Sequence, residues 1–122
     1  MKTVAVLGAS RDRSKFGNKA VRGFAGQGFT VWPVNPKETE IEGLRCYRSV
    51  RDLPARPDRV TVYLPPAVLL GVLPEIAERG CEEVWLNPGS DSPEAVAAAE
   101  RLGLNVIQAC SLIAIGVSPA AL

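Results

Sequence analysis

Residues 4–21, VAVLGASRDRSKFGNKAV, decide how this chain is read. The stretch opens on a β-branched apolar run ending in Gly8, the pattern of a buried parallel strand. Small residues follow, then a loop holding Arg11, Asp12, Arg13 and Lys15, then a helical stripe that starts near Phe16-Gly17-Asn18. Strand, tight turn and helix in that order form an anion site, because loop N–H groups and the positive end of the helix face one point. Against the template G-x-G-x-x-G, Gly8 takes the first position, Ser10 replaces the second glycine and Arg13 the third. Ser10 adds a hydroxyl that can donate to a phosphate oxygen. The late helix start lengthens the loop, so that it can wrap a phosphate.

The rest of the chain alternates in the same way. A second strand is expected over 29–34, with Pro33 marking its end or a change in its hydrogen bonding. A polar loop covers 35–44, and Ser49 caps a short turn. A third strand over 59–64 is stopped by Pro65-Pro66. A helix follows over 67–80, with Pro74 expected in a first turn or at a kink. The fourth strand, 83–87, is broken by Pro88-Gly89. Ser92-Pro93-Glu94 starts a helix that runs to about Gly103, and 104–108 is the fifth strand. The apolar tail, 109–122, receives no assignment and would suit a homodimer contact. Such alternation specifies an α/β fold: a Rossmann-like three-layer sandwich with helices on both faces of a five-stranded parallel sheet. The strand order expected along the chain is 3-2-1-4-5. The ligand then sits at the carboxyl edge, at the switch point between the first and fourth strands.

Length and composition agree with one domain over residues 1–122, since the chain has 122 residues with 47% hydrophobic and 22% charged. It contains no histidine, which removes Ser-His-Asp triads, His-ligated zinc and phosphohistidine relays. Cys46, Cys81 and Cys110 are scattered and give no alternative metal cluster. Without an export signal or a membrane-length apolar run, reduced thiols and a cytoplasmic location are expected. The net charge of +1 gives no reason to expect nucleic acid or a membrane surface as partner.

The distribution of charge says more. Residues 1–37 carry seven Lys/Arg and one acid. Arg11, Arg13, Lys15 and Lys37 fall on two neighbouring loops at the carboxyl edge, whereas Lys2, Lys19 and Arg22 read as solvated residues. Dinucleotide sites place an acid after the second strand to hold an unphosphorylated ribose. Here the residues are Val34-Asn35-Pro36-Lys37, and a cation there favours a phosphorylated ribose. That leaves the 2′-phosphate of NADP or the 3′-phosphate of coenzyme A.

Taken together, VAVLGAS…SKFGNKAV, VWPVNPK, EGLRCYRSV, VTVYLPP and VWLNPGS resemble the small stand-alone CoA-binding proteins. These are relatives of the N-terminal CoA-binding domain of the succinyl-CoA ligase α-subunit. The resemblance implies a small-molecule ligand, CoA or an acyl-CoA, held without catalysis by this chain. It places Gly8, Ala9 and Ser10 at the pyrophosphate, on a loop shared with Arg11 and Gly17, with Lys15 and Phe16 closing over it. Asn35, Pro36 and Lys37 would flank the 3′-phosphate. Tyr63, Leu64, Pro65 and Pro66 would form an apolar wall for adenine or pantetheine. Asn87 stands where the ligase domain carries an acid, on the pantetheine side. No catalytic residue and no metal ligand is expected. Two rivals remain, an NADP-binding domain of an oxidoreductase and an interaction module without ligand. Cys46 reads as a packed or merely exposed thiol, Cys110 as structural, and Trp32 and Trp85 as sheet residues.

Overall fold

The computed structural model describes residues 2–122. In chain order the elements are β1 (Thr3–Leu7), α1 (Phe16–Gly26), β2 (Thr30–Val34), β3 (Glu40–Ile41) and β4 (Leu44–Arg45). After a 3-10 turn at Val50–Asp52 come β5 (Arg59–Val62), α2 (Pro66–Arg79), β6 (Glu83–Leu86), α3 (Pro93–Arg101), β7 (Val106–Gln108) and α4 (Ser111–Ala114). The five long strands form one parallel sheet in the order β2-β1-β5-β6-β7.

The parallel sheet and its two helical layers match the expectation; the strand order does not. Counted over the five sheet strands it is 2-1-3-4-5, and the third strand lies beside β1 rather than outside β2. Pro33 supplies the reason. Its carbonyl accepts from Tyr47 N at 2.9 Å, so the side on which it lacks an N–H is the outer edge of β2. A strand laid along that edge would find the donor at Pro33 missing, and proline in a sheet is confined to such edges. A single bridge, Val34 to Tyr47, covers it instead. The switch point accordingly lies between β1 and β5.

Alternation along β1 feeds two cores. Ala5 and Leu7 point to one face, with Val60, Val62, Val84 and Leu86, under Leu69, Leu73 and Ile76 of α2 and Ala95 and Ala99 of α3. Val4 and Val6 point to the other, under Ala20, Val21 and Phe24 of α1. The unassigned tail completes that second layer. Leu112 of α4 is fully buried against α1, and Gly23 permits the approach, since a Cβ there would meet Leu112 Cδ2 at 2.5 Å. Burial of a leucine on this scale contributes about 1.5–3 kcal/mol.

Two local expectations change. The polar loop contains the hairpin β3–β4, whose turn residues Glu42 (φ 52°) and Gly43 (φ 76°) both lie in the left-handed region that a two-residue hairpin requires. It buries Ile41 in the second core. Pro74 sits in mid-helix on the exposed side of α2 rather than in its first turn. Ser49 does cap the turn after it, accepting from Arg51 N at 3.1 Å.

Candidate functional site

At the carboxyl edge the chain leaves β1 toward β2 and leaves β5 toward β6, in opposite directions along the sheet. The crevice opened there holds two clefts that share Gly8 and Leu64. The larger, about 680 Å³, runs past Lys15, Phe16, Gly17, Tyr63, Pro65 and Pro66 to the β6 turn and α4. The smaller, about 290 Å³, runs past Val34, Asn35 and Pro36 to Ser49, Val68 and Glu75.

The junction is built from glycines. Gly8 has φ 82°, and a Cβ there would stand 2.7 Å from Tyr63 O, so the turn after β1 is pressed onto the end of β5. A Cβ on Gly17 would fall on the carbonyl of Gly8. The close helix–strand contact that the third glycine of the dinucleotide pattern secures is therefore made by Gly17, not at position 13. This corrects the template alignment.

Side chains to which the sequence reading gave no bracing role hold the loop between those glycines. Asn18 is fully buried and donates from Nδ2 to Ser10 O at 2.9 Å and to Glu42 Oε2 at 3.1 Å. Its Oδ1 accepts from Arg22 Nε at 2.7 Å, and Arg22 donates on to Arg13 O at 2.9 Å. Arg13 pairs with Glu42 at 2.7 Å. Arg22 is thus a brace for the loop rather than a solvated charge. A polar residue in the apolar stripe of α1, four positions before an arginine, was the available signal. Ser10 Oγ accepts from Asp12 N at 3.0 Å, which leaves its proton to donate outward. Hydrogen bonds from Ser14 hold the Asp12 carboxyl below its ordinary range.

Of the four clustered cations, Arg13 is matched by Glu42 and Arg11 more loosely by Glu38 at 3.7 Å. Lys15 and Lys37 carry no ion pair among the described residues. The β2 loop is tied to the β1 loop through Asn35, whose Nδ2 donates to Ala9 O and whose Oδ1 accepts from Lys37 N, both at 2.8 Å. Cys46 donates weakly to Asn35 O at 3.7 Å. It is packed in the second core, and burial pushes its thiol up.

Exposed apolar surface concentrates on the clefts. Phe16, Val68, Leu102 and Ile113 are the exposed large hydrophobic side chains among the described residues, and all but Leu102 line a cleft. Phe16 lies parallel to Tyr63 with ring centroids 6.4 Å apart, and Lys19 Nζ stands 5.5 Å over the Phe16 ring. Burial pushes the Tyr63 phenol up, and its OH is 3.0 Å from Ser111 Oγ. Cys110, expected to be structural, also lines the larger cleft.

Asn87 is the site residue whose placement differs most from its expected role. Its Nδ2 donates to Thr61 Oγ1 at 2.8 Å and to Val62 O at 2.9 Å. Its Oδ1 accepts from Ser111 N at 2.9 Å and Ser111 Oγ at 3.1 Å. An amide has two hydrogens and two lone pairs to give, and all are used. Asn87 therefore fastens α4 to the ends of β5 and β6, with its amide hydrogen bonds directed inward, while it also lines the larger cleft.

A protein-family model described as a CoA binding domain matches residues 2–116. The chain belongs to this family. Coenzyme A is accordingly its relevant ligand, and among the described residues no helix is long and apolar enough to cross a membrane. The CoA-binding family drawn from the motifs is thus shown, and the curated relatives relate it to ADP-forming acetate–CoA ligases rather than specifically to succinyl-CoA ligase. The chain is 29% identical over 115 residues to the ADP-forming acetate–CoA ligase II subunit alpha of Pyrococcus furiosus, covering 85% of this chain and 25% of that one. It is 33% identical over 119 residues to the ADP-forming acetate–CoA ligase I of Archaeoglobus fulgidus, covering 87% and 17%. The chain thus spans a quarter or less of these relatives. A conserved hypothetical protein from Pyrococcus furiosus superposes with a TM-score of 0.85 at 38% identity, covering 93% of this chain and 99% of that one.

Proposed function

We propose that this domain holds CoA or an acyl-CoA extended across both clefts, as a binding protein without catalysis of its own. The observation that carries the reading is the junction: two apolar clefts meet at Gly8, and Lys15, Phe16 and Gly17 at the start of α1 line the larger one, beside the braced loop that holds Ser10. The pyrophosphate fits that junction. The adenosine end fits the smaller cleft, with its 3′-phosphate toward Lys37, which follows Pro36 on the cleft wall. The pantetheine arm fits the larger cleft, between the Phe16–Tyr63 pair and Pro65-Pro66. Among the described residues, Glu75 is the one carboxylate lining the two clefts.

CoA is expected to raise the thermal stability of the protein, by roughly 2.7 kcal/mol at a hundredfold excess over its dissociation constant. NADH, whose adenosine ribose carries no 2′- or 3′-phosphate, should give little. A thermal-shift series with CoA, NADPH and NADH checks this. Equal stabilisation by CoA and NADH would defeat the phosphorylated-ribose argument, and a preference for NADPH would favour the dinucleotide rival.

Lys37→Ala separates the ribose phosphate from the rest of the ligand. A charge-assisted hydrogen bond contributes about 1.5–3 kcal/mol, so CoA should weaken roughly tenfold or more. Binding of 3′-dephospho-CoA should barely change. The Lys37 backbone N–H keeps its bond to Asn35 Oδ1 in the variant, so the loop stays in place. Calorimetric titration of two proteins with two ligands decides, and equal losses for both ligands would return Lys37 to the solvent.

A further inference from the structure

We propose that Glu75 is a specificity-determining residue of the smaller cleft, reading the exocyclic amine of the base seated there. The inference rests on the CoA reading above and goes beyond it, since an apolar slot alone would accept any flat ring. The slot is walled by Val34, Val50, Leu64, Val68 and Val72, and Glu75 and Arg48 are the ionisable side chains that line it. Glu75 is held in place. Ser49 Oγ donates to Glu75 Oε1 at 2.5 Å while accepting from Arg51 N at 3.1 Å. The single hydroxyl proton of Ser49 is thereby committed, and one lone pair of Oε1 with it. Glu75 Oε2 has no hydrogen-bond partner among the described residues.

An ionised carboxylate accepts and never donates. At the end of an apolar slot it therefore rewards a base that presents N–H donors, as the 6-amino group of adenine does. A base without that donor leaves the carboxylate desolvated and unpaired. Sites built to hydrogen-bond one group discriminate strongly against analogues that lack it.

The test compares adenosine 3′,5′-bisphosphate with purine riboside 3′,5′-bisphosphate, in which hydrogen replaces the 6-amino group. Titrations use the wild type, Glu75→Gln and Glu75→Ala. The wild type should prefer the amine by about tenfold or more, the size of one charge-assisted bond. Glu75→Gln keeps a neutral acceptor and the bond from Ser49, and should retain a reduced preference. Glu75→Ala should bind both compounds equally. If Glu75→Ala weakens both by one common factor and keeps the wild-type preference, Glu75 only positions the Ser49 turn and the proposal fails, with the CoA reading intact. If the wild type binds CoA but shows no preference between the two bisphosphates, the proposal fails in the same way. If the wild type binds neither CoA nor the bisphosphates, the CoA reading itself has failed and the inference falls with it.

Discussion

Gly17→Ala is expected to destabilise the protein by about 3 kcal/mol or more, the upper end for overpacking a tight contact. The added methyl would occupy the position of the Gly8 carbonyl. Neither side can yield cheaply, because both are backbone: Gly8 is wedged against Tyr63 O, and the first turn of α1 is fixed by Asn18 and its bonds to the loop. Relief requires the helix to move off the sheet, which opens the core around Ala20, Val21 and Phe24. It would also swing the free N–H groups at the start of α1 away from the junction of the clefts, so CoA affinity of the folded protein should fall too. Gly26→Ala on the same helix is the control. Nothing lies within 4 Å of its added Cβ, and the substitution should be neutral or stabilising by up to about 1 kcal/mol. Thermal or urea denaturation of the pair decides. A Gly17→Ala protein as stable as Gly26→Ala would mean that α1 does not press on the β1 turn, and the phosphate cradle would lose its physical basis.

What the sequence made legible follows the range of the interactions concerned. Strand and helix periodicity, the tight turn at Gly8 and the ends of strands shortly before Pro65-Pro66 and Pro88-Gly89 are local, and they were read to within two residues. The gathering of the β1, β2, β5 and β6 loops at one edge follows from parallel topology. Strand order was missed although its cause, Pro33, was in view, because the decisive fact is which edge its missing N–H faces. Only the partner on the other side, Tyr47, reveals that. The β3–β4 hairpin was hidden by its length, since two-residue strands carry no period and Glu42-Gly43 is a weaker turn signal than Asn-Gly. The bracing of the phosphate loop was legible only in its local part, Asn18 four positions before Arg22 in the apolar stripe of α1. Asn18, Arg22, Arg13 and Glu42 meet across separations of up to 29 residues, and charge counting alone assigns Arg13 to the ligand rather than to Glu42.

Asn87 was assigned to the ligand for its place in the motif, and its bonding predicts a different experiment. Asn87→Leu, similar in volume, should lower stability by about 3–4 kcal/mol, because buried polar groups left unpaired cost about 1–3 kcal/mol each. Ser111 N loses its acceptor outright, and Val62 O keeps only the longer contact from Ser90 Oγ at 3.3 Å. Thr61 and Ser111 can still bond each other at 2.7 Å, which limits the loss. Ser111→Ala should cost less, about 1 kcal/mol, since Asn87 Oδ1 retains the Ser111 backbone N–H. The double variant should then fall short of the sum by at least about 0.5 kcal/mol, as expected for residues in one network. Measured by urea unfolding, strict additivity would mean that the two side chains are independent. The ligand-contact reading makes the opposite prediction, that Asn87→Leu leaves stability near wild type and removes CoA affinity. A variant stable in urea but blind to CoA would restore Asn87 to the pantetheine side. One that unfolds early, yet binds CoA with near-normal affinity while folded, identifies it as the fastening between α4 and the sheet that its bonds describe.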